Sequence, residues 1–188
     1  MKTVATQVKR GEVLDLEGMN LQVLSAERNF KGRGGGSVNM KLKNLRTGAI
    51  ITKNIRSGET LYLCETETAQ LQYLYTDHAG LHFMHLQSYE QYILPEDMAG
   101  DFAKFLKAET TVHVMLLENQ PVSLIPPKVV RLTVTEAEHA AKGDTSGNAK
   151  KPVEVETGAT IYVPLFIKRG DTISINPENG EYLERVNS

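Results

Sequence analysis

The sequence predicts an all-β protein assembled from three small barrels. Three observations carry this: apolar residues alternate with polar ones over many short runs, turn-forming residues separate those runs, and two breaks in composition divide the chain into modules of similar size. The alternating runs are "EVLDLEGMNLQVLSAE", "SVNMKLKNL", "AIITKNI", "LQYLYTDHAGLHFMHL", "TVHVMLLENQPVSLI", "VVRLTV", "TIYVPLFIK" and "TISINPENGEYLERV". Between them, "EGMN", "RTGA", "TDHAG", "ENQP", "KRGD" and "NPENG" are rich in Gly, Asn and Asp, which tolerate the positive φ that tight hairpins demand.

One stretch breaks the pattern. In "PEDMAGDFAKFLKAE", Pro95 to Glu109, a proline opens, acids fill the first turn, and Phe102, Phe105 and Leu106 recur at helical spacing, which predicts a single helix. The first compositional break falls near Leu61, where a cationic segment gives way to an acidic and aromatic one, and the second at the Pro126-Pro127 pair. They place domains at 1–63, 64–127 and 128–188, each near the lower size limit for a lone hydrophobic core. The polar, small-residue run "EAEHAAKGDTSGNAKKP" is expected to form a long exposed loop within the third.

Composition excludes several classes. No run approaches the roughly 20 apolar residues of a membrane span, and "MKTVATQVKR" lacks the apolar core of a signal peptide, so the expectation is a cytoplasmic protein with no membrane partner. A single cysteine, Cys64, cannot close an internal disulfide and is expected to be a small buried residue. "GRGGGS" resembles a phosphate cradle, yet a strand follows where a nucleotide fold needs a helix N-terminus. His82 and His85, an odd number of residues apart on a strand, point to opposite faces and cannot share one metal ion. Nucleophile, base and acid never gather at a catalytic spacing, so neither enzyme chemistry nor a cofactor is expected.

What stands out is charge. The formal net charge is −2, but from Arg28 to Gly58 the chain carries eight basic residues, Arg28, Lys31, Arg33, Lys41, Lys43, Arg46, Lys53 and Arg56, and no acid. Segregation of this kind reads as one face made for polyphosphate. In "SVNMKLKNLRTG", Val38, Met40, Leu42 and Asn44 should share one face and Asn39, Lys41, Lys43 and Leu45 the other, so the lysines should line an exposed cationic edge. Ahead of them, Gly32-Arg33-Gly34-Gly35-Gly36 packs four glycines around one arginine. A hairpin tip without β-carbons can enter a crowded site, and a guanidinium offers five donors in a fixed fork.

These residues bring the chain close to a known family. "MKLKNLRTG", "LQYLYTD" and the long C-terminal run "GDTSGNAKKPVEVETGATIYVPLFIKRGDTISINPENGEYLERV" resemble bacterial elongation factor P over essentially the whole length. Lys151, Gly158, Val163, Pro164 and Gly170, followed by "GEYLERV", make the last match highly specific. The resemblance implies an N-terminal SH3-like or KOW-like barrel and two OB-fold barrels in a tRNA-like L shape, working as a monomer on the 70S ribosome. Such factors sit between the P and E sites and relieve stalling at consecutive prolines.

The resemblance further implies residue roles. Counting back from Lys41 puts Arg33 at the loop tip, flanked by Lys31, Gly32, Gly34 and Gly35. This is similar to the arginine-type members, whose tip arginine is rhamnosylated by a dedicated arginine rhamnosyltransferase, whereas Lys31 does not fit the register of the lysine type. The tip departs from the Ser-Gly-Arg-Asn pattern of that type, which leaves a sugar-bearing and a bare Arg33 both open. Arg28, Lys41, Lys43 and Arg46 would contact tRNA or ribosomal RNA along the acceptor arm. Tyr182 and Arg185 would lie on the P-site peptidyl-tRNA, a prolyl-tRNA at the stall, and Gly143, Asp144, Thr145, Ser146 and Gly147 would reach towards the E-site mRNA codon. The alternative is a single-stranded RNA binder of the cold-shock kind. It should interleave aromatics with lysines, and "SVNMKLKNL" has none in a chain of 6% aromatic content.

Overall fold

The computed structural model describes residues 1–30, 35–137 and 149–186, with Phe30 through its backbone alone. Among the described residues, sixteen strands fall into three sheets. The first contains β1 (Lys2–Val4), β2 (Val13–Leu16), β3 (Met19–Phe30), β4 (Gly36–Asn44), β5 (Ile50–Arg56) and β6 (Thr60–Leu63), in the order β1-β6-β2-β3-β4-β5. The second contains β7 (Glu67–Asp77), β8 (Gly80–Met84), β9 (Gln91–Leu94), β10 (Thr111–Leu117) and β11 (Gln120–Ile125), in the order β11-β10-β7-β8-β9. The third contains β12 (Val130–Ala137), β13 (Lys150–Val155), β14 (Thr160–Pro164), β15 (Thr172–Ile175) and β16 (Tyr182–Val186), in the order β14-β13-β12-β15-β16. The all-β expectation holds, and the hairpin turns are where the turn residues stand. Glu118 and Asn119, for example, both take positive φ in the two-residue connection of β10 to β11.

By contact the chain divides into two compact units, Met1–Ala69 with Val114–Ser123, and Gln70–His113 with Leu124–Ser188. In the first unit Leu14, Leu21, Val23, Val38, Met40 and Leu42 form the centre of a buried cluster, as the inward half of each alternating run should. The buried amide of Gln22 meets the sulfur of Met115 at 3.9 Å in the same unit. In the second unit, the third sheet buries Leu132, Val134, Val153, Val155, Ile161, Val163, Ile173 and Ile175. A partly exposed clasp ties its sheet to the segment before β10: Glu156 Oε1 accepts from Lys107 Nζ at 3.0 Å and from the Thr133 N–H at 2.9 Å. Partial burial raises the Glu156 carboxyl, and these hydrogen bonds outweigh it, holding the group below its ordinary range.

Three expectations need correction. The expected helix exists but is confined to one short α-helix, α1 (Glu96–Ala99), followed by a separate 3₁₀ turn, Asp101–Phe105, with Leu106 already extended. Gly100 separates them at φ 72° and ψ −170°, a conformation that side chains exclude, so the apolar spacing buries Met98, Phe102, Phe105 and Leu106 without a continuous helix. Of the loop expected from Glu136 to Pro152, residues 138–148 lie outside the described residues, and both ends are strand instead: β12 runs on through Ala137, and β13 starts at Lys150 and pairs Pro152 with Tyr162. Finally, β4 is no edge strand, because β3 and β5 flank it. The short strands β1, β6 and β9 and a 3₁₀ turn at Ala5–Gln7 were not legible as alternation.

Gly80 closes the β7–β8 hairpin at φ 134°, and a β-carbon there would stand 2.3 Å from the carbonyl oxygen of Leu94. Gly80→Ala is therefore expected to destabilise the protein by more than about 2 kcal/mol, combining backbone strain with a clash against main chain that cannot swing aside. A thermal melt of the variant checks this, and a melting temperature equal to that of the parent would contradict it.

Candidate nucleic-acid interface

The β3–β4 ladder is the frame of the first candidate surface. It runs from Leu21↔Asn44 to Phe30↔Gly36, slipping register once at Leu24. Pairing of β3 with β2 stops at Val13↔Gln22, so the distal part of β3 has β4 as its ladder partner. The pairing leaves residues 31–35 as the connection. Lys31, Gly32, Arg33 and Gly34 lie outside the described residues, as do Gly143, Asp144, Thr145, Ser146 and Gly147 of the other expected loop. Gly35 is described, at φ 83°, with open space where a β-carbon would be.

Register decides which basic residues share a face, since cross-strand partners point the same way. Opposite the buried row of Val38, Met40 and Leu42, the outer row of β4 holds Ser37, Asn39, Lys41 and Lys43, paired with Arg56, Asn54, Thr52 and Ile50 of β5. Lys41 and Arg56 are exposed and Lys43 half-buried. Arg28 and Lys53 belong elsewhere: they pair with Val38 and Met40, on the core side of the sheet. Arg28 Nη2 donates to the Thr6 carbonyl at 2.5 Å, and Lys53 Nζ meets Glu17 Oε2 at 2.9 Å. The single cationic face read from charge is thus two faces. The outer one keeps Lys41, Lys43 and Arg56; Arg56 is one of the eight basic residues but not one of the four expected RNA contacts, although its parity in "IITKNIR" matches Thr52 and Asn54.

Arg46 sits in the β4–β5 turn. Asn44 Oδ1 accepts from the Arg46 and Thr47 N–H groups at 2.8 and 3.1 Å, and the Gly48 N–H returns to the Asn44 carbonyl at 2.9 Å. This side-chain-closed turn fixes the backbone that carries Arg46. Leu45, expected outward, is buried, because the strand ends at Asn44 and the Leu45 N–H turns in to the Asn20 carbonyl at 2.9 Å.

The second candidate surface is β16. Tyr182 and Arg185 are three residues apart and would oppose each other on a regular strand. The ladder pairs them with Ile175 and Ile173 respectively, and the extra residue, Leu183, brings both to one face. Partial burial pushes the Tyr182 phenol up, against the charge and backbone hydrogen bond of Arg185. Tyr182 also lines a groove of about 590 Å³ with Phe105, Lys150, Tyr162 and Gly180.

Residues set aside on sequence grounds have structural roles. His82 Nε2 lies 2.9 Å from Asp77 Oδ1 and stacks on Tyr75, and the hydrogen bond to His82 is the main reason the Asp77 carboxyl falls below its usual range. His85 Nδ1 accepts from the backbone of Gln87 and Ser88. Cys64 is half-buried beside Asn20, and burial pushes its thiol up, away from thiolate reactivity. Among the described residues no cluster of His, Cys, Asp and Glu could hold a metal ion, and no helix is long and apolar enough to cross a membrane.

Three sheets that follow one another along the chain, the first presenting basic residues on one face, define an all-β protein of small modules. Family models match each module in turn: the elongation factor P KOW-like domain over residues 4–61, its OB domain over 66–124, and elongation factor P, C-terminal, over 130–185. The chain belongs to the elongation factor P family, whose members are translation factors and not enzymes. It is 41% identical over 182 residues to elongation factor P of Caldicellulosiruptor saccharolyticus, covering 97% of this chain and 98% of the relative. The protein of Caldicellulosiruptor bescii is 42% identical over the same shares, and that of Thermotoga maritima 39% identical, covering 95% and 97%.

Proposed function

We propose that the protein binds the ribosome between the P and E sites, beside the peptidyl-tRNA, and speeds peptide-bond formation where consecutive prolines stall it. Near-complete coverage by elongation factor P relatives is the observation that carries this reading. The β3–β4 ladder reaches Phe30 and Gly36, the residues on either side of 31–35, which supports the use of that segment as a probe into a narrow site, with Arg33 at the tip. Lys41, Lys43 and Arg56 would meet phosphates along the acceptor arm, with Arg46 beside them in the adjoining turn. Arg28, turned towards Thr6, would instead brace the hairpin.

In this reading the factor supplies no reactive group. The ribosome performs the chemistry, and the loop holds a slow prolyl-tRNA and nascent chain in a reactive geometry, lowering the barrier through orientation. Domains at 1–63, 64–127 and 128–188 divide the work. The first would approach the reacting ends, while Tyr182 and Arg185 of the third hold the P-site tRNA and residues Gly143 to Gly147 approach the E-site codon. The protein acts in the cytoplasm as a monomer. Fragment mass spectrometry of protein from its native cells decides whether Arg33 carries a deoxyhexose, and hence whether a rhamnosyltransferase is a partner, or works bare.

Phosphate contacts give a quantitative test. If three to five lysines and arginines displace counterions, the affinity for ribosomes carrying P-site tRNA should fall with salt at a log–log slope of roughly −2 to −4. A slope near zero would overturn the RNA-contacting role of the basic face.

A further inference from the structure

Phe166 is a large apolar side chain, 54% exposed, in a domain whose other apolar residues mostly lie inside. Single exposed hydrophobics are ordinary on protein surfaces. This one is placed with care. The turn carrying it closes through the Ile167 N–H on the Pro164 carbonyl at 3.2 Å, and Ile167, fully buried, anchors it to the core. The ring is therefore held out beside β16, where the Arg185 guanidinium lies over it at 5.6 Å from the ring centroid.

The guanidinium has a second support. Asp171 Oδ2 stands 3.9 Å from Arg185 Nη1. Asp171 is itself pinned, because Oδ2 accepts the Lys168 N–H at 2.8 Å and its carbonyl accepts the Val134 N–H at 2.9 Å. At 3.9 Å the carboxylate attracts the charge without a hydrogen bond, so the pair spends none of the guanidinium donors. The ring and the fixed carboxylate together restrain the planar group, and neither takes an N–H donor in a hydrogen bond, so donors stay available for bidentate phosphate recognition. Exposed arginine side chains otherwise lose rotamer freedom when they engage a ligand, and a pre-held one loses less.

We propose that Phe166 is a positioning residue, which orients Arg185 for a phosphate of the P-site tRNA. This rests on the reading of Arg185 as a tRNA contact given above. A cation–π contact at an exposed site changes an affinity by roughly two- to fivefold, which sets the scale of the effect.

The experiment measures binding of the full-length protein to 70S ribosomes carrying peptidyl-tRNA in the P site, with Phe166→Leu, Phe166→Trp, Arg185→Ala and the Phe166→Leu/Arg185→Ala double variant. Thermal melts accompany each. Leucine keeps apolar bulk without a π face, and tryptophan keeps the face. The expected result is a two- to fivefold weakening by leucine, binding within twofold of the parent for tryptophan, unchanged melting temperatures, and no further loss from leucine once Arg185 is gone. If Arg185→Ala binds like the parent, the tRNA-contact reading of Arg185 falls and Phe166 loses its role with it. If Arg185→Ala weakens binding while Phe166→Leu is neutral, or weakens it equally with and without Arg185, Arg185 keeps its role and the positioning proposal is overturned.

Discussion

Arg33→Ala is expected to leave the melting temperature of the protein unchanged and to remove most of its acceleration of peptide-bond formation at consecutive prolines. The first half follows from where the core is. The buried cluster of the first sheet is assembled from β2 to β6 and Ala5 and Val8, and the described ladder is already closed by Phe30 and Gly36 without any help from residue 33. The second half follows from the donor set. A guanidinium making hydrogen bonds to charged or strongly polar groups contributes about 1.5–3 kcal/mol, so its loss from the transition state should cost roughly ten- to a hundredfold in rate. A peptide-bond assay on stalled ribosomes measures it, and an Arg33→Ala protein as active as the parent would refute the role.

Leu42→Asp should do the opposite, destroying structure before function can be assayed. Leu42 is fully buried on an interior strand, opposite Val23 on one side and Ile51 on the other. Its replacement removes a leucine from the core and places a carboxylate there without a partner, at a combined cost of about 4 kcal/mol or more. Since small domains are stable by only about 5–15 kcal/mol, the first sheet should unfold at or near physiological temperature. Circular dichroism during a thermal melt reads this out. Lys41→Asp, one residue away but facing solvent, is the control and should melt within a few degrees of the parent.

The contrast between residues 41 and 42 also shows what could be read from the sequence. Alternation in "SVNMKLKNL" separates core from surface because one buried face pins the strand register, and Val38, Met40 and Leu42 are buried as the pattern requires. Leu45 escaped because parity holds only while the strand continues, and the Asn44 turn ends it. The expected helix is present but shorter than its apolar spacing implied, for a related reason: periodicity reports which residues are buried, while Gly100 decides whether the backbone between them is continuous.

The site was legible in composition and less so in geometry. Eight basic residues without an acid mark a surface, but composition carries no pairing information, and it took the ladder to turn Arg28 and Lys53 away from Lys41 and Lys43. Tyr182 and Arg185 came from family resemblance, and their spacing alone would have put them on opposite faces. The extra residue at Leu183 reconciles the two, and no residue type announces a bulge of that kind. Phe166 had no signal in the sequence beyond being one apolar residue in an apolar run.

Relief of proline stalling by this protein is tested by the rate of peptide-bond formation on ribosomes programmed with a Pro-Pro-Pro message, with and without the protein purified from its native cells. A matched message without proline runs in parallel. A large acceleration is expected on the first message and almost none on the second. Equal rates on the proline message with and without the protein would contradict it.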